Sequence, residues 1–375
     1  MSKPSQWSTK DQAFMRRAVA LAAKARGRTS PNPLVGAVIV RGSEIVGEGY
    51  HQKAGEAHAE IHALNQAGDL AHGATMYVTL EPCCHWGRTP PCTEAVIRAG
   101  IADAFIAMTD ANPRVAGKGI HALERSGICV QVGLCKQAAR ALNEIYIKYI
   151  TTRLPFVTLK SAISLDGKIA TASGESQWIT SQASRRQGHE IRNQVDAILV
   201  GVGTVLRDDP LLTTRLPDRR GKDPIRIVVD SHGHTPPRAK IFNPGSNAET
   251  LITVTEGVPM ERIGGLKAAG ADVLVVEEED GRVCLAALMH ELGQREITSV
   301  LIEGGGEINA SALKVGIVDK IMFFIAPKLI GGKHAPGPIG GEGIERLSEA
   351  FTLRDVGLTQ IDSDFLIEGY LKREA

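Results

Sequence analysis

The sequence predicts an α/β protein built as two domains, and three observations carry that expectation. Short apolar runs alternate with stretches at helical spacing along nearly the whole chain, the pattern of strands layered with helices. At 375 residues the chain exceeds one ordinary domain. Composition also shifts after Pro155, and the residue cluster that distinguishes the first part never recurs in the second. The expected domains are 1–152 and 153–375. Hydrophobic residues at 43% and charged residues at 23% suit a soluble globular protein, and a net charge of +1 gives no general reason to expect nucleic acid or an anionic membrane as partner. No apolar run approaches the ~18 residues of a membrane span, and MSKPSQWSTKDQAF lacks the apolar core of a signal peptide. Three of the six cysteines crowd between residues 83 and 92, which points to metal in a reducing compartment and to a cytoplasmic protein.

In the first domain, Phe14, Ala18, Leu21 and Ala22 are spaced as one face of a helix over 11–26, stopped by Gly27. Pro31 and Pro33 hold 29–33 out of helix. Leu34–Val40 and Ile45–Gly49 read as a hairpin. Glu56–Ala67 reads as a helix with His58 and Glu60 in its first turn, Thr75–Leu80 as a strand, and Thr93–Ala99 as a helix opened by Pro90-Pro91. Cys92 then sits at a helix N-terminus, where the macrodipole favours a thiolate. Strands at Ala104–Met108 and Ile128–Val132 and a helix over 136–152 complete the domain.

The chemistry concentrates in His58-Ala59-Glu60 and in the segment from Pro82 to Cys92. A catalytic zinc takes three protein ligands and leaves its fourth position to water. His58, Cys83 and Cys92 offer that set. Zinc lowers the pKa of bound water to roughly 7, and Glu60 beside it is suited to carry a proton from that water to a leaving amine. This is the chemistry of hydrolytic deamination. Each residue taken alone has a plainer reading, as a surface histidine or a buried thiol. The convergence of four such residues on two helix starts favours the metal. Cys84 is given a structural role.

H-x-E followed by P-C…C is the zinc deaminase signature. The eight residues between Cys83 and Cys92, together with Pro31-Asn32-Pro33-Leu34-Val35-Gly36 and Thr79-Leu80-Glu81-Pro82-Cys83, closely resemble the riboflavin-pathway deaminases. Along the whole chain the sequence is similar to the bifunctional family that fuses a pyrimidine deaminase to a pyrimidine reductase. The resemblance implies a cytidine-deaminase-like three-layer domain followed by a dihydrofolate-reductase-like domain. It also implies zinc and NADPH as cofactors and a diaminopyrimidinone substrate bearing a ribosylamino 5-phosphate. Asn32 and His51 match positions that line the pyrimidine pocket, and His85 and Arg88 positions that contact the substrate and its phosphate.

In the second domain, strands are expected at Phe156–Lys160, Ala197–Val200, Ile225–Asp230, Leu251–Val254, Asp272–Val276, Ser299–Glu303 and Lys320–Ile325. Helices are expected at Ser181–Asn193, Val258–Ala269, Leu285–Leu292 and Ile308–Val315. That alternation implies a mainly parallel sheet with an antiparallel addition near Ile321–Ala326. Glycine-rich turns at 201–204 and 304–306 follow strands, where backbone amides accept anions. Neither is a full G-x-G-x-x-G, so the dinucleotide inference from them alone is weak. By resemblance, Ala162, Trp178, Thr204, Asp208, Ser231, Gly305, Gly306 and Glu307 match cofactor-contacting positions. Lys160, Ser176, Arg192, Leu212, Arg215 and Glu303 match the substrate site, and the guanidinium forks of Arg192 and Arg215 suit a phosphate dianion.

The reading is thus a bifunctional enzyme acting on a phosphorylated small molecule as a homo-oligomer, without nucleic acid or membrane. A deaminase of nucleic-acid bases would want a basic, aromatic-bearing groove, yet aromatics are 4% of this chain. A non-catalytic protein with a structural zinc needs a fourth ligand, for which His85 and Cys84 are available.

Overall fold

The computed structural model describes residues 7–86, 90–242 and 245–372. The chain forms two compact units, one ending at Arg153 and one beginning at Leu154.

In chain order the first unit comprises α1 (Thr9–Ala23), β1 (Gly36–Arg41), β2 (Glu44–Tyr50), α2 (Ala59–Ala67), β3 (Thr75–Val78), α3 (Cys92–Arg98), β4 (Asp103–Ile106), α4 (Lys118–Arg125), β5 (Cys129–Val132), α5 (Lys136–Leu142) and α6 (Glu144–Thr152). A capping box starts α1: Ser8 Oγ accepts from the Asp11 amide, and the Ser8 amide donates to the Asp11 carboxylate. Its end comes earlier than expected, because Lys24 and Ala25 bond back three residues and tighten the chain toward Gly27 at φ 74°.

Among the described residues the sheet runs β2-β1-β3-β4-β5, with β2-β1-β3 antiparallel and β3-β4-β5 parallel. Glycines let helices approach both faces. A Cβ on Gly36 would collide with the Ala18 carbonyl of α1. A Cβ on Gly47 or Gly49 would collide with the Ala63 or Ala59 carbonyl of α2. Gly47 and Gly49 pair with Ile39 and Ala37, so they lie on the opposite face from Gly36. Helices α1 and α2 therefore cover opposite faces, giving three layers around a core that includes Val38, Ile39, Met76, Val78 and Ile106.

The single helix expected over 136–152 is two. Asn143 breaks it, and the amide of Asn143 is committed elsewhere: Oδ1 accepts from Leu34 N at 2.8 Å and Nδ2 donates to Leu34 O at 2.9 Å. These bonds tether the segment that carries Asn32, satisfying two backbone groups just before β1.

The second unit comprises β6 (Phe156–Ser164), α7 (Gln182–Arg192), β7 (Ala197–Gly201), α8 (Val202–Asp208), β8 (Ile225–Val229), β9 (Thr250–Val254), α9 (Met260–Ala268), β10 (Asp272–Val275), β11 (Glu278–Glu279), β12 (Arg282–Val283), α10 (Leu285–Gln294), β13 (Ser299–Ile302), α11 (Gly306–Lys314), β14 (Lys320–Ala326), β15 (Leu353–Ile361) and β16 (Asp364–Leu371). Among the described residues its main sheet runs β10-β9-β8-β7-β13-β6-β14-β16-β15. From β10 to β14 every neighbour is parallel. Both faces of that part are buried: Leu199 joins one apolar cluster, and its neighbours Ile198 and Val200 join the other.

Two expectations need correcting here. The antiparallel addition expected near Ile321–Ala326 is not β14 itself, which runs parallel with β6, but the β15–β16 hairpin, whose β16 pairs antiparallel with β14. Strand β15 escapes sequence reading because it edges the sheet, largely exposed, and so lacks an apolar run. The segment 201–204 is less a free turn than the direct opening of α8, with Gly201 as its N-cap.

Candidate active sites

In the first unit three side chains converge from two strand-to-helix junctions. His58 is the N-cap of α2, which begins at Ala59, three residues later than expected, and its extended backbone leaves the ring free of the helix. Cys92 is the first residue of α3, and its amide donates to Cys83 Sγ at 3.3 Å. His58 Nδ1 lies 3.1 Å from Cys92 Sγ and 3.6 Å from Cys83 Sγ, and the three ligand atoms sit within 4.8 Å of one another. Tetrahedral zinc with bonds of ~2.0 Å to nitrogen and ~2.3 Å to sulfur holds its ligand atoms about 3.5–3.8 Å apart, so the donor set fits. Among the described residues no fourth protein ligand joins them.

The electrostatics agree with a metal centre. The Cys92 thiol, and with it His58 and the Cys92 amide, holds Cys83 down to about 4, while the same sharing of one proton pushes Cys92 up. Metal ligation requires both sulfurs deprotonated, and that last proton leaves when a cation arrives. Glu60, in the first turn of α2, is 3% exposed, and burial raises its carboxyl to about 7 against the opposing pull of His58.

Asn32 and His51 are brought beside this centre. His51 Nδ1 lies 3.2 Å from Ala57 O and its Nε2 lies 3.1 Å from Asn32 Nδ2, while its ring meets that of His58 edge-on at 5.3 Å. The carbonyl demands a proton on Nδ1, so Nε2 accepts from the Asn32 amide and the ring is neutral. Burial, which lowers the pKa of His51, favours the same form. His85 has a buried Nδ1 with no partner among the described residues, as expected of a group awaiting a ligand. Arg88 lies outside the described residues.

Glu81 plays a part that the sequence reading missed. Its buried carboxylate accepts four backbone N–H groups: Asp110 at 3.1 Å, Gly117 at 3.0 Å, Gly119 at 2.8 Å and Ile120 at 3.2 Å. It pins the loop before α4 against the strand end that leads into Cys83. A lone acid at the end of an apolar strand, in YVTLEP, was the available signal.

In the second unit the chain runs from β7 outward to β8, β9 and β10, then returns to insert β13 between β7 and β6. Ligands of open α/β sheets bind at such a reversal, beyond the carboxyl ends of the strands. Both glycine turns lie there: Gly201 ends β7, Gly304–Gly306 follows β13, and a Cβ on Gly305 would sit 3.8 Å from Thr204 Oγ1. Two helix N-termini, those of α8 and α11, open into this crevice, which suits the pyrophosphate of a dinucleotide. Gly306 also carries a close cover, since Gly340 N donates to Gly306 O and Gly341 N donates to the Glu307 carboxylate. Ser231 follows β8, with its Oγ accepting from Val283 N. Trp178 is exposed, not core, and the Arg185 guanidinium lies 4.6 Å from its ring centroid. Asp208 ends α8, and Ala162 and Ser176 lie partly buried in and after β6.

Beside that crevice Glu303, directly after β13, accepts from Nε and Nη2 of Arg192, each at 2.9 Å, and lies 3.5 Å from Lys160 Nζ. Burial alone would raise Glu303, but Arg192 and Lys160 reverse this and hold it far below the usual carboxylate range. Arg192 Nη1 also donates to Thr213 O at 2.9 Å, so three of the five N–H groups of the guanidinium, expected from its chemistry to hold phosphate, are committed inside the protein. Arg215 is exposed and donates to Thr213 Oγ1 at 3.1 Å. Leu212, buried at φ 52°, turns the chain between them.

Comparison with known proteins places both units. Residues 8–108 match the cytidine and deoxycytidylate deaminase zinc-binding region, and residues 155–367 match the RibD C-terminal domain. The chain is 46% identical over 358 residues to the riboflavin biosynthesis protein RibD of Actinobacillus pleuropneumoniae, covering 96% of this chain and 94% of the relative. It is 44% identical to the Escherichia coli protein of that name, covering 91% and 94%. Acinetobacter baumannii RibD superposes with a TM-score of 0.85 at 38% identity, covering 97% of this chain and 99% of the other. A diaminohydroxyphosphoribosylaminopyrimidine deaminase/5-amino-6-(5-phosphoribosylamino)uracil reductase from Thermotoga maritima superposes with a TM-score of 0.84 at 36% identity, with the same coverage.

Proposed function

The chain belongs to the RibD family of riboflavin biosynthesis proteins, and from that premise we propose which residues carry each of its two reactions. It is a bifunctional enzyme, a zinc-dependent deaminase and an NADPH-dependent reductase. We assign deamination to the unit ending at Arg153 and reduction to the unit from Leu154. The substrate is 2,5-diamino-6-ribosylamino-4(3H)-pyrimidinone 5′-phosphate, whose deaminated product the second site reduces from ribosyl to ribityl.

In the first site His58, Cys83 and Cys92 would hold the zinc, which when bound would supply water activated at neutral pH. Glu60 takes a proton at its carboxylate from the attacking water and returns it to the leaving amine. A carboxyl tuned to about 7 is poised to do both near neutrality. The Asn32–His51 pair orients the ring, and by resemblance His85 and Arg88 are the residues that contact the substrate and its phosphate. In the second site NADPH supplies the hydride. Thr204, Gly305, Gly306, Ser231, Ala162, Trp178, Asp208 and Glu307 form the cofactor side, and Lys160, Ser176, Leu212, Arg215 and the Arg192–Glu303 pair form the substrate side. Catalysis there is mainly positioning. The balanced charge supports a small-molecule partner without nucleic acid, and the clustered free thiols support the cytoplasm. Exposed Val356 and Leu358 on edge strand β15 support a homo-oligomer.

The observation that carries this reading is the convergence of His58, Cys83 and Cys92 beside a buried Glu60. The test is a coupled assay of the purified chain on that pyrimidine, with and without NADPH, alongside zinc analysis. Ammonia release without NADPH, then NADPH oxidation only after deamination, is expected. About one zinc per chain with no ammonia would overturn the substrate assignment.

A further inference from the structure

Helix α7 carries one polar side chain into the reductase substrate site that neither the motifs nor the family resemblance singled out. His189 lies one turn before Arg192 on the same face, and Gly188 beside it packs against Lys160, its ideal Cβ 3.7 Å from Nζ. His189 Nδ1 accepts from the backbone amide of Arg215 at 3.2 Å. A ring nitrogen that accepts carries no proton, so in the neutral ring the proton sits on Nε2. Nε2 has no partner among the described residues and is not sealed from solvent. Burial, and then the cations Arg192, Arg215 and Lys160 against the opposing Glu303, lower the pKa of this imidazole to about 4, so it is neutral at physiological pH.

The site around it has positive charge to spare. Lys160, Arg192 and Arg215 are three cations, and the carboxylates near them are Glu303 and Asp223. Arg192 is committed to Glu303 and Thr213 O, whereas Arg215 keeps donors free at the surface. An anion entering here meets Arg215 as its charged partner, and next to it a neutral N–H whose direction the Arg215 backbone itself sets.

We propose that His189 is a further substrate-binding residue of the reductase site, its Nε2–H donating to the phosphate monoester of the substrate beside Arg215. The proposal rests on the reductase reading above. In it Arg192 is a positioning residue that holds Glu303, and phosphate recognition falls to Arg215 and His189. A neutral donor adds a directed hydrogen bond without a further cation in a cluster that already repels one.

The test compares the wild-type chain with His189→Leu and His189→Gln by NADPH oxidation on the deaminated ribosylaminopyrimidine, with and without its 5′-phosphate. His189→Leu should raise KM for the phosphorylated substrate roughly tenfold with little change in kcat, the loss of one hydrogen bond to a charged group made alike in ground and transition states. KM for the substrate without phosphate should not move. D-Ribose 5-phosphate should weaken as an inhibitor by the same factor. His189→Gln, whose amide both accepts and donates, should bring KM back to within about threefold of wild type. An unchanged KM in His189→Leu, an equal rise on the substrate lacking phosphate, or equal losses in the Leu and Gln variants would overturn the role. No NADPH oxidation by the wild-type chain would instead overturn the reductase reading, and the proposal with it.

Discussion

Glu60 and Glu303 are the same residue type, one in each unit, the first buried and the second nearly so, and their chemistry points in opposite directions. Glu60 is surrounded by groups that do little to offset desolvation, and the Cys83 thiolate adds to it, so its carboxyl rises to about 7. Glu303 meets a guanidinium fork and an ammonium, and it is locked ionised. Burial raises a carboxyl, and only the neighbouring charges decide whether that stands. The first arrangement suits the proton carrier proposed above, and the second an electrostatic anchor.

The strongest way to break that comparison is to remove the titrating proton. Glu60→Gln should lower deamination roughly a thousandfold, the middle of the range for a general acid–base group. Zinc content and NADPH oxidation on the deaminated substrate should persist. Stability should move by less than about 1 kcal/mol, since an isosteric amide replaces a carboxyl that burial already leaves about half protonated at neutral pH. Retained ammonia release would remove the proton-carrier role.

Glu303→Gln should behave in the reverse way. It leaves Arg192 buried without its counter-charge, which costs about 3–5 kcal/mol. Thermal unfolding of the second unit should come earlier, and reduction should fail while ammonia release continues. A loss under 1 kcal/mol would mean that the pair is no anchor.

Glu81 sharpens the contrast, as a buried carboxylate held by four backbone amides and no paired cation. Glu81→Gln turns an NH2 group toward N–H donors and should cost about 2–3 kcal/mol. Bound zinc, measured on the purified chain, should fall with it, because the strand end leading to Cys83 loosens.

The smallest effect is a pH dependence. His189 titrates near 4 when folded and near 6.5 when unfolded, so between those values the unfolded chain binds more protons. Stability therefore rises with pH across that window and is lost as pH falls from about 6.5 toward 4. For a partly exposed group the contribution is about 1 kcal/mol after solvent screening. Melting curves at pH 7 and pH 5 should show a smaller difference in His189→Gln than in wild type. An equal difference would deny the depressed imidazole.

The metal ligands were legible because each stands at a strand-to-helix junction that local pattern already marks: His58 where α2 begins, Cys92 where α3 begins, Cys83 just past β3. Residue type announces the chemistry, and turn and cap preferences announce the placement. Strand β15 was illegible because an exposed edge needs no apolar run, and the break at Asn143 because its cause lies 109 residues away at Leu34.

What the sequence marked out by itself was the layered α/β class, the His58, Cys83 and Cys92 donor set, the carboxyl proposed as proton carrier and, through resemblance, the pairing of two reactions in one chain. The tertiary structure alone decided which charges face each other. Arg192 reads as a phosphate fork until Glu303, 111 residues on, takes its Nε and Nη2 edge, and His189 reads as one more helical histidine until the Arg215 backbone sets its tautomer. Local pattern records steric and solvent preferences of neighbours in the chain, whereas pKa and hydrogen-bond commitment depend on distances that only the folded sheet brings within a few ångströms.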